Sequence, residues 1–353
     1  MTDVDTPGLD LDRLGAWMDE QGLAGTGTPE LSSLSGGSQN ELYVVSRGGE
    51  RTVLRIPPAG ANEARVDGVR REIRLLRALS GTDVPHSELV AADDEGTVLG
   101  RPFLLMKEVQ GWSPTAKPGT GWPAPYDTDL DGRAKLAFEL VDGIAKLSRV
   151  DWKARGLEGF GRPENFHERQ VDRWLAFLEE YRFRPLPGLD EAAAWLRENK
   201  PRQWSPGIMH GDYQFANVMY SNDGPTLAAI IDWEMTTIGD PLLDLGWALV
   251  SWPPEGADMK NAHYLPMEGM PAREELLAHY EKVSGRSTED IDYYVILARW
   301  KLALVLERSY AAFVSGGPID PKVEVFGELV LELFRKAAEL AEKTGPLSAR
   351  HGS

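Results

Sequence analysis

The chain has 353 residues, 42% hydrophobic and 26% charged, enough apolar material for one large or two ordinary domains with a sizeable core. Its net charge of −17 argues against a nucleic-acid partner, whose phosphates need Lys/Arg surfaces, and against anionic membranes. With no cysteine it has no disulfide, thiol nucleophile or zinc–thiolate site, and its acidic start, Met1-Thr2-Asp3-Val4-Asp5, is unlike a signal peptide, so a cytoplasmic location is expected.

Along the chain, Leu11, Leu14, Trp17 and Met18 recur at helical spacing and predict a short amphipathic helix over Leu9–Met18. Ser35-Gly36-Gly37-Ser38 precedes two strand-like runs, Leu42–Val45 and Thr52–Ile56. A helix is expected over Arg65–Leu79, with Val66, Val69, Ile73 and Leu76 on one face, and a further strand at Phe103–Met106. Gly111–Tyr126, rich in Gly and Pro but carrying Trp112 and Trp122, predicts a long irregular loop that folds over substrate as a lid. Beyond it the pattern is helical: Arg133–Ser148, Glu168–Tyr181, Asp190–Asn199, Pro241–Val250, Ala272–Val283, Thr288–Phe313 and Pro321–Glu342. The apolar stretch Val295–Leu306 contains Arg299 and Lys301 and reads as a buried helix rather than a membrane span. The expected architecture is α+β and bilobal, with a strand-rich N-terminal lobe (1–108) and a mainly helical C-terminal lobe (109–353).

The chemistry concentrates in His210-Gly211-Asp212-Tyr213-Gln214-Phe215-Ala216-Asn217 and Ile230-Ile231-Asp232-Trp233-Glu234. Asn217–Tyr220 and Leu227–Ile231 are strand-like and flank the turn chemistry of Asp223-Gly224. A hairpin there makes Asn217 and Asp232 neighbours, an amide oxygen and a carboxylate suited to Mg²⁺. Asp212, five residues before Asn217, then takes the place of a catalytic base for phosphoryl transfer. Taken alone, Asp212 would be an ordinary loop aspartate; the set decides the reading.

Quoted together, His210-Gly211-Asp212 with Asn217, Ile231-Asp232-Trp233-Glu234, and Gly239-Asp240-Pro241 with Asp244-Leu245 resemble the aminoglycoside phosphotransferase family, a branch of the choline-kinase-like small-molecule kinases. The resemblance runs from about Leu31 to Ala311 and is closest to bacterial phosphotransferases related to the kinase-like domains of some acyl-CoA dehydrogenases. It implies a protein-kinase-like fold, with nucleotide held in the cleft between lobes. It implies that His210 supports the catalytic-loop backbone and that Asp244 holds that loop by hydrogen bonds. Asp240-Pro241 reads independently as a helix N-cap followed by a first-turn proline.

On the nucleotide side, the backbone of Gly36-Gly37-Ser38 is read as a phosphate contact, although a Gly-Gly pair alone is more often a turn. Kinases place a lysine on the third strand; this chain has no lysine before Lys107, and Arg55 stands there instead. Glu72, bordering an apolar helix face, is read as the partner of Arg55, the alternative being Arg70, Arg71 or Arg74 on its own helix. The connector Met106-Lys107-Glu108-Val109 is expected to meet the nucleotide base through backbone groups around Glu108, which leaves ATP and GTP undistinguished. Trp247, Trp252, His263, Tyr264, His279 and Tyr280 form an aromatic set for a small hydroxylated acceptor, at least half of it ordinary packing. The expected function is an ATP- and Mg-dependent phosphotransferase acting on a small-molecule hydroxyl. The rival is a catalytically silent nucleotide-binding protein on the same fold. Neither the acceptor nor the oligomeric state is written in the sequence.

Overall fold

A computed structural model of the chain describes residues 8–34, 40–114, 121–252, 265–317 and 321–347. The chain divides into two compact units that are not contiguous in sequence. Unit 1 comprises Met1–Trp112, Val150–Phe160 and Val218–Glu234; unit 2 comprises Ser113–Arg149, Gly161–Asn217 and Met235–Ser353.

Unit 1 is built on a five-stranded antiparallel sheet. Its strands are β1 (Glu30–Ser33), β2 (Glu41–Arg47), β3 (Glu50–Ile56), β4 (Leu89–Asp93) and β5 (Phe103–Lys107), in the order β1-β2-β3-β5-β4. Helix α1 (Leu11–Glu20) is capped by Asp10, which accepts from Arg13 N. It lays Leu14, Trp17 and Met18 against Val45, Leu54, Ile56, Phe103 and Leu105 of the sheet. Each such side chain contributes about 1.5–3 kcal/mol relative to exposure. Helix α2 (Glu63–Leu79), capped by Asn62, buries Val69, Ile73 and Leu76 of the face its spacing predicts but leaves Val66 half-buried; Leu79 and Glu72 are buried with them.

A smaller sheet in the same unit has the order β6-β8-β9. Its strands are β6 (Gly111–Trp112), β8 (Val218–Ser221) and β9 (Leu227–Ile230). The β8–β9 hairpin pairs Val218 with Ile230, so its first and last residues lie side by side. Trp112 therefore belongs to a strand, where its Nε1 donates to Ser221 O at 3.3 Å and its ring tilts against Tyr220.

Unit 2 is helical: α3 (Leu130–Arg149), α4 (Phe166–Glu179), α5 (Leu189–Glu198), α6 (Leu242–Leu249), α7 (Arg273–Ser284), α8 (Ile291–Val314), α9 (Pro321–Glu324) and α10 (Phe326–Thr344). It adds one two-stranded antiparallel sheet, β7 (Gly207–Met209) with β10 (Thr237–Gly239). Helix α8 has no exposed residue over 291–304, as a core helix requires; Tyr293, Tyr294, Leu297, Trp300 and Leu304 on it are fully buried. Gly246 lets α6 approach α8 closely: a Cβ there would meet the Tyr294 backbone carbon at 2.6 Å. The helix expected over Pro321–Glu342 is broken at Val325 into α9 and α10, and α8 begins at Ile291 rather than Thr288.

Trp122 is buried in unit 2, donates from Nε1 to Pro266 O at 2.7 Å and meets Phe215 edge-on at 5.4 Å.

Candidate active site

In unit 2 the loop from β7 to Asn217 is fixed through its backbone. Asp244, on α6, accepts from His210 N at 2.6 Å through Oδ2 and from Gly211 N at 2.8 Å through Oδ1. Gly211 has φ +90°, a left-handed conformation costly to any residue with a Cβ, and a Cβ there would also crowd Met235. His210 is fully buried; its Nδ1 accepts from Asp212 N at 3.3 Å, and Thr236 Oγ1 donates to its carbonyl. The histidine thus braces the loop.

The Asp212 carboxylate is aimed by two neutral amides. Gln214 Nε2 donates to Oδ1 at 2.9 Å, and Asn217 Nδ2 donates to Oδ2 at 2.9 Å and to the Asp212 carbonyl at 2.8 Å. Tyr213 OH ties the loop to Leu140 O of α3 at 2.8 Å, and Phe215 lies between the rings of Trp122 and Trp252. Gln214 and Phe215 carry no signal in the sequence beyond their place between Asp212 and Asn217.

Behind the loop, burial pushes Asp244 up to about 7, opposed by the Gly211 and His210 amides and by Lys301. Lys301 is itself pushed down to about 8 by burial, with Asp244 opposing that shift. Its ammonium sits 5.1 Å from the Trp174 ring centroid and 5.8 Å from that of Trp247. Asp240 is buried and accepts from Tyr294 OH at 2.5 Å, with His167 Nε2 2.9 Å from the same oxygen. Its other oxygen accepts from Leu242 N, but the helix begins at Leu242, with Pro241 as its capping position.

In unit 1, Arg55 on β3 is held by two carboxylates. Nη1 donates to Glu72 Oε1 at 3.2 Å; Nε lies 3.0 Å from Glu72 Oε2, an ion-pair contact without a hydrogen bond. Nη2 donates to Glu234 Oε1 at 2.9 Å. Burial pushes Glu72 up to about 7 against the attraction of Arg55, with Glu234 and Asp232 adding to the rise. Arg70, Arg71 and Arg74 have other partners: Asp67 and the Asp94 carbonyl for Arg70, Phe160 O for Arg71, and the Gly156 and Glu158 carbonyls for Arg74.

Asp232 follows β9 with φ +64°, a left-handed conformation for a residue with a side chain, which costs on the order of 1–3 kcal/mol and is concentrated at functional sites. Glu108 follows β5 and takes Arg51 in a bidentate pair at 2.7 and 2.8 Å. In unit 2, Trp247, Trp252 and Tyr280 are buried, and His279 pairs with Asp142 at 2.7 Å. Gly36, Gly37, Ser38, His263 and Tyr264 lie outside the described residues. Among the described residues no group of three or more His, Asp or Glu is placed to hold a metal ion, and no helix is long and apolar enough to cross a membrane.

Solved structures share this fold. A candidate aminoglycoside phosphotransferase from Ralstonia eutropha JMP134 superposes with a TM-score of 0.80 at 27% identity, covering 95% of this chain and 99% of that one. An aminoglycoside phosphotransferase solved with ADP and hygromycin B gives 0.57 at 14% identity, over 92% and 97% of the two chains. These matches define an α+β, protein-kinase-like fold. The chain belongs to the phosphotransferase enzyme family, whose model matches residues 30–279. Among full-length relatives, acyl-CoA dehydrogenase family member 11 of Gallus gallus is 27% identical over 93% of this chain, and family member 10 of Mus musculus 23% over 92%. The chain spans 42% and 30% of those two proteins.

Proposed function

We propose that this chain transfers the γ-phosphoryl group of ATP to a hydroxyl of a small molecule, with Mg²⁺. The observation that carries the reading is the Asp212 carboxylate, aimed by Gln214 and Asn217 on a loop whose backbone Asp244 holds. Such a fixed acceptor orients a substrate O–H and receives its proton as the oxygen attacks. The acceptor oxygen bonds to the γ-phosphorus, the bond from that phosphorus to the bridging oxygen breaks, and ADP leaves with the electron pair.

The donor chemistry fits Mg²⁺. Asn217 has its amide nitrogen committed to Asp212, which gives its side-chain oxygen to a hard cation. The Asp232 carboxylate is exposed and makes no hydrogen bond among the described residues. These two residues would hold the ion, which supplies charge neutralisation on the phosphate oxygens when bound. Arg55, oriented by Glu72, contributes a charge-assisted phosphate contact. The Gly36–Ser38 backbone and the Glu108 connector are assigned to the phosphates and the base.

A second reading, a nucleotide-binding protein without catalysis, is favoured by one observation: Arg55 replaces lysine and already carries two carboxylates. Screening hydroxylated acceptors for ADP release separates the two. The panel spans aminoglycosides, macrolides, choline, homoserine, sugars and hydroxyacyl thioesters. Acceptor-dependent ADP with the parent, absent in Asp212→Asn, is the expected result; nucleotide binding with no turnover on any acceptor supports the silent protein. In thermal-shift measurements Asp232→Ala should lose the Mg²⁺-dependent stabilisation by nucleotide, and Asn217→Ala should lose less. Parent-like shifts in both variants would remove this pair as the metal ligands.

A further inference from the structure

The inference rests on the reading that Arg55 and the segment before Asn40 serve nucleotide phosphates. Two donors of unit 1 from that region converge on one carboxylate oxygen. Arg55 Nη2 lies 2.9 Å from Glu234 Oε1, and Asn40 Nδ2 lies 3.4 Å from the same atom. Asn40 directly follows Ser35–Gln39, which contains the glycine pair assigned to phosphate. The other terminal nitrogen, Nη1, donates to Glu72 Oε1, and Glu72 Oε2 lies 3.0 Å from Nε without a hydrogen bond. With Nη1 and Nη2 each donating to a carboxylate, a phosphate takes both terminal nitrogens only where one partner withdraws.

The two partners differ in their freedom to do so. Glu72 is 5% exposed and is locked into α2. Glu234 is 24% exposed at its side chain, holds Arg55 by one oxygen, and rides on a single short turn after the left-handed Asp232. Around Arg55 the acidic groups are Glu72, Asp232 and Glu234, while Arg65 is the other cation acting on Glu234. Three carboxylates against two guanidiniums make this a poor neighbourhood for a bare polyphosphate.

We propose that Glu234 is the resident anion of these phosphate donors. It occupies Arg55 and Asn40 in the free protein, so that metal-free nucleotide is refused and the metal complex is admitted. The divalent charge arriving with the nucleotide offsets the carboxylates, Glu234 releases Arg55, and a phosphate oxygen takes its place. Glu234 is on this account a specificity-determining residue: it discriminates between two states of the same nucleotide.

Calorimetric titration of the full chain tests this with three probes: ADP with EDTA, ADP with excess Mg²⁺, and adenosine. The parent should prefer Mg-ADP over metal-free ADP. Glu234→Gln keeps size and a hydrogen-bonding oxygen but removes the charge. It should bind metal-free ADP about tenfold tighter, the scale of one lost charge-assisted competitor, with adenosine unchanged. Glu234→Ala should move the same way and serves if the glutamine variant fails to fold. Weaker Mg-ADP binding with unchanged metal-free ADP would mean that Glu234 serves the metal alone, and overturns the proposal. An equal gain for adenosine places the effect away from the phosphates and overturns it too. A parent that binds no nucleotide in either form takes down the nucleotide reading itself, and this inference with it.

Discussion

The two candidate regions are held by opposite means. In unit 2 the Asp212 loop is fixed by its own backbone, through the Asp244 carboxylate, and by neutral amides from Gln214 and Asn217. In unit 1 Arg55 is held by ion pairs to Glu72 and Glu234. Neutral amides orient a carboxylate without bringing a cation to it. Ion pairs hold a guanidinium in a form that another anion can take over. On the roles proposed above, the difference suits a base that stays put and a phosphate contact that changes partners.

The largest expected effect falls on the fixed region. Asp212→Asn keeps the shape and loses the proton acceptor, so turnover on an identified acceptor should fall by about 10³-fold or more, near 4 kcal/mol. Nucleotide affinity should stay within several-fold. A variant that turns over at the parent rate would show that the fixed loop does not supply the base.

Next comes the anchor behind that loop. Asp244 is raised from 3.8 to about 7, so the folded protein binds more protons than the unfolded chain between those values, and stability falls as pH rises through that window. Lys301 is lowered from 10.5 to about 8, so its contribution is present above the unfolded value and is lost as pH falls toward 8. Urea denaturation should therefore show a trough between about pH 7 and 8, up to about 4 kcal/mol deep for the fully buried carboxylate. Asp244→Asn should flatten the acidic side and Lys301→Met the alkaline side. Curves parallel to the parent in both variants would mean that this anchor stays charged throughout.

The smallest effect belongs to the exchangeable region. Arg55→Ala should weaken nucleotide binding about tenfold, roughly 1.4 kcal/mol. Glu72→Ala alone should do similar but milder damage. Binding measured for both singles and the double variant should reveal a coupling of roughly 0.5–3 kcal/mol between them. Strict additivity would leave the ion pair with no part in orienting Arg55.

Much of this was legible in the residues, and the illegible parts have physical reasons. The periodicity of Val69, Ile73 and Leu76 places α2 because one apolar face recurs at helical spacing. Strands β7 and β10, three residues each, are too short for alternation to register, so the small sheet that carries the catalytic loop left no pattern. Arg55 and Glu72 could be matched because one sits on a strand and the other borders an apolar helix face. Glu234 could not be matched to Arg55, since that pair depends on the left-handed turn at Asp232, a conformation that the letters Asp-Trp-Glu do not announce. Composition reads Gly111–Tyr126 as irregular chain, and the described residues after Trp112 are irregular, but it did not give Trp112 its place at a strand edge or Trp122 its place in a core.

The partition of the chain has a consequence for anyone who would dissect it. Between the two units the polypeptide crosses after Trp112, Arg149, Phe160, Asn217 and Glu234. No single cut yields either unit whole. A fragment ending at Trp112 lacks the β8–β9 hairpin and with it both Asp232 and Glu234. One beginning at Ser113 carries that hairpin without β6, the strand beside it. Asn217 and Val218, bonded to each other, are counted in different units, so a protease nick at that peptide bond severs the aimed loop from the strand that continues it. Genetic fusion at the ends leaves all five crossings intact.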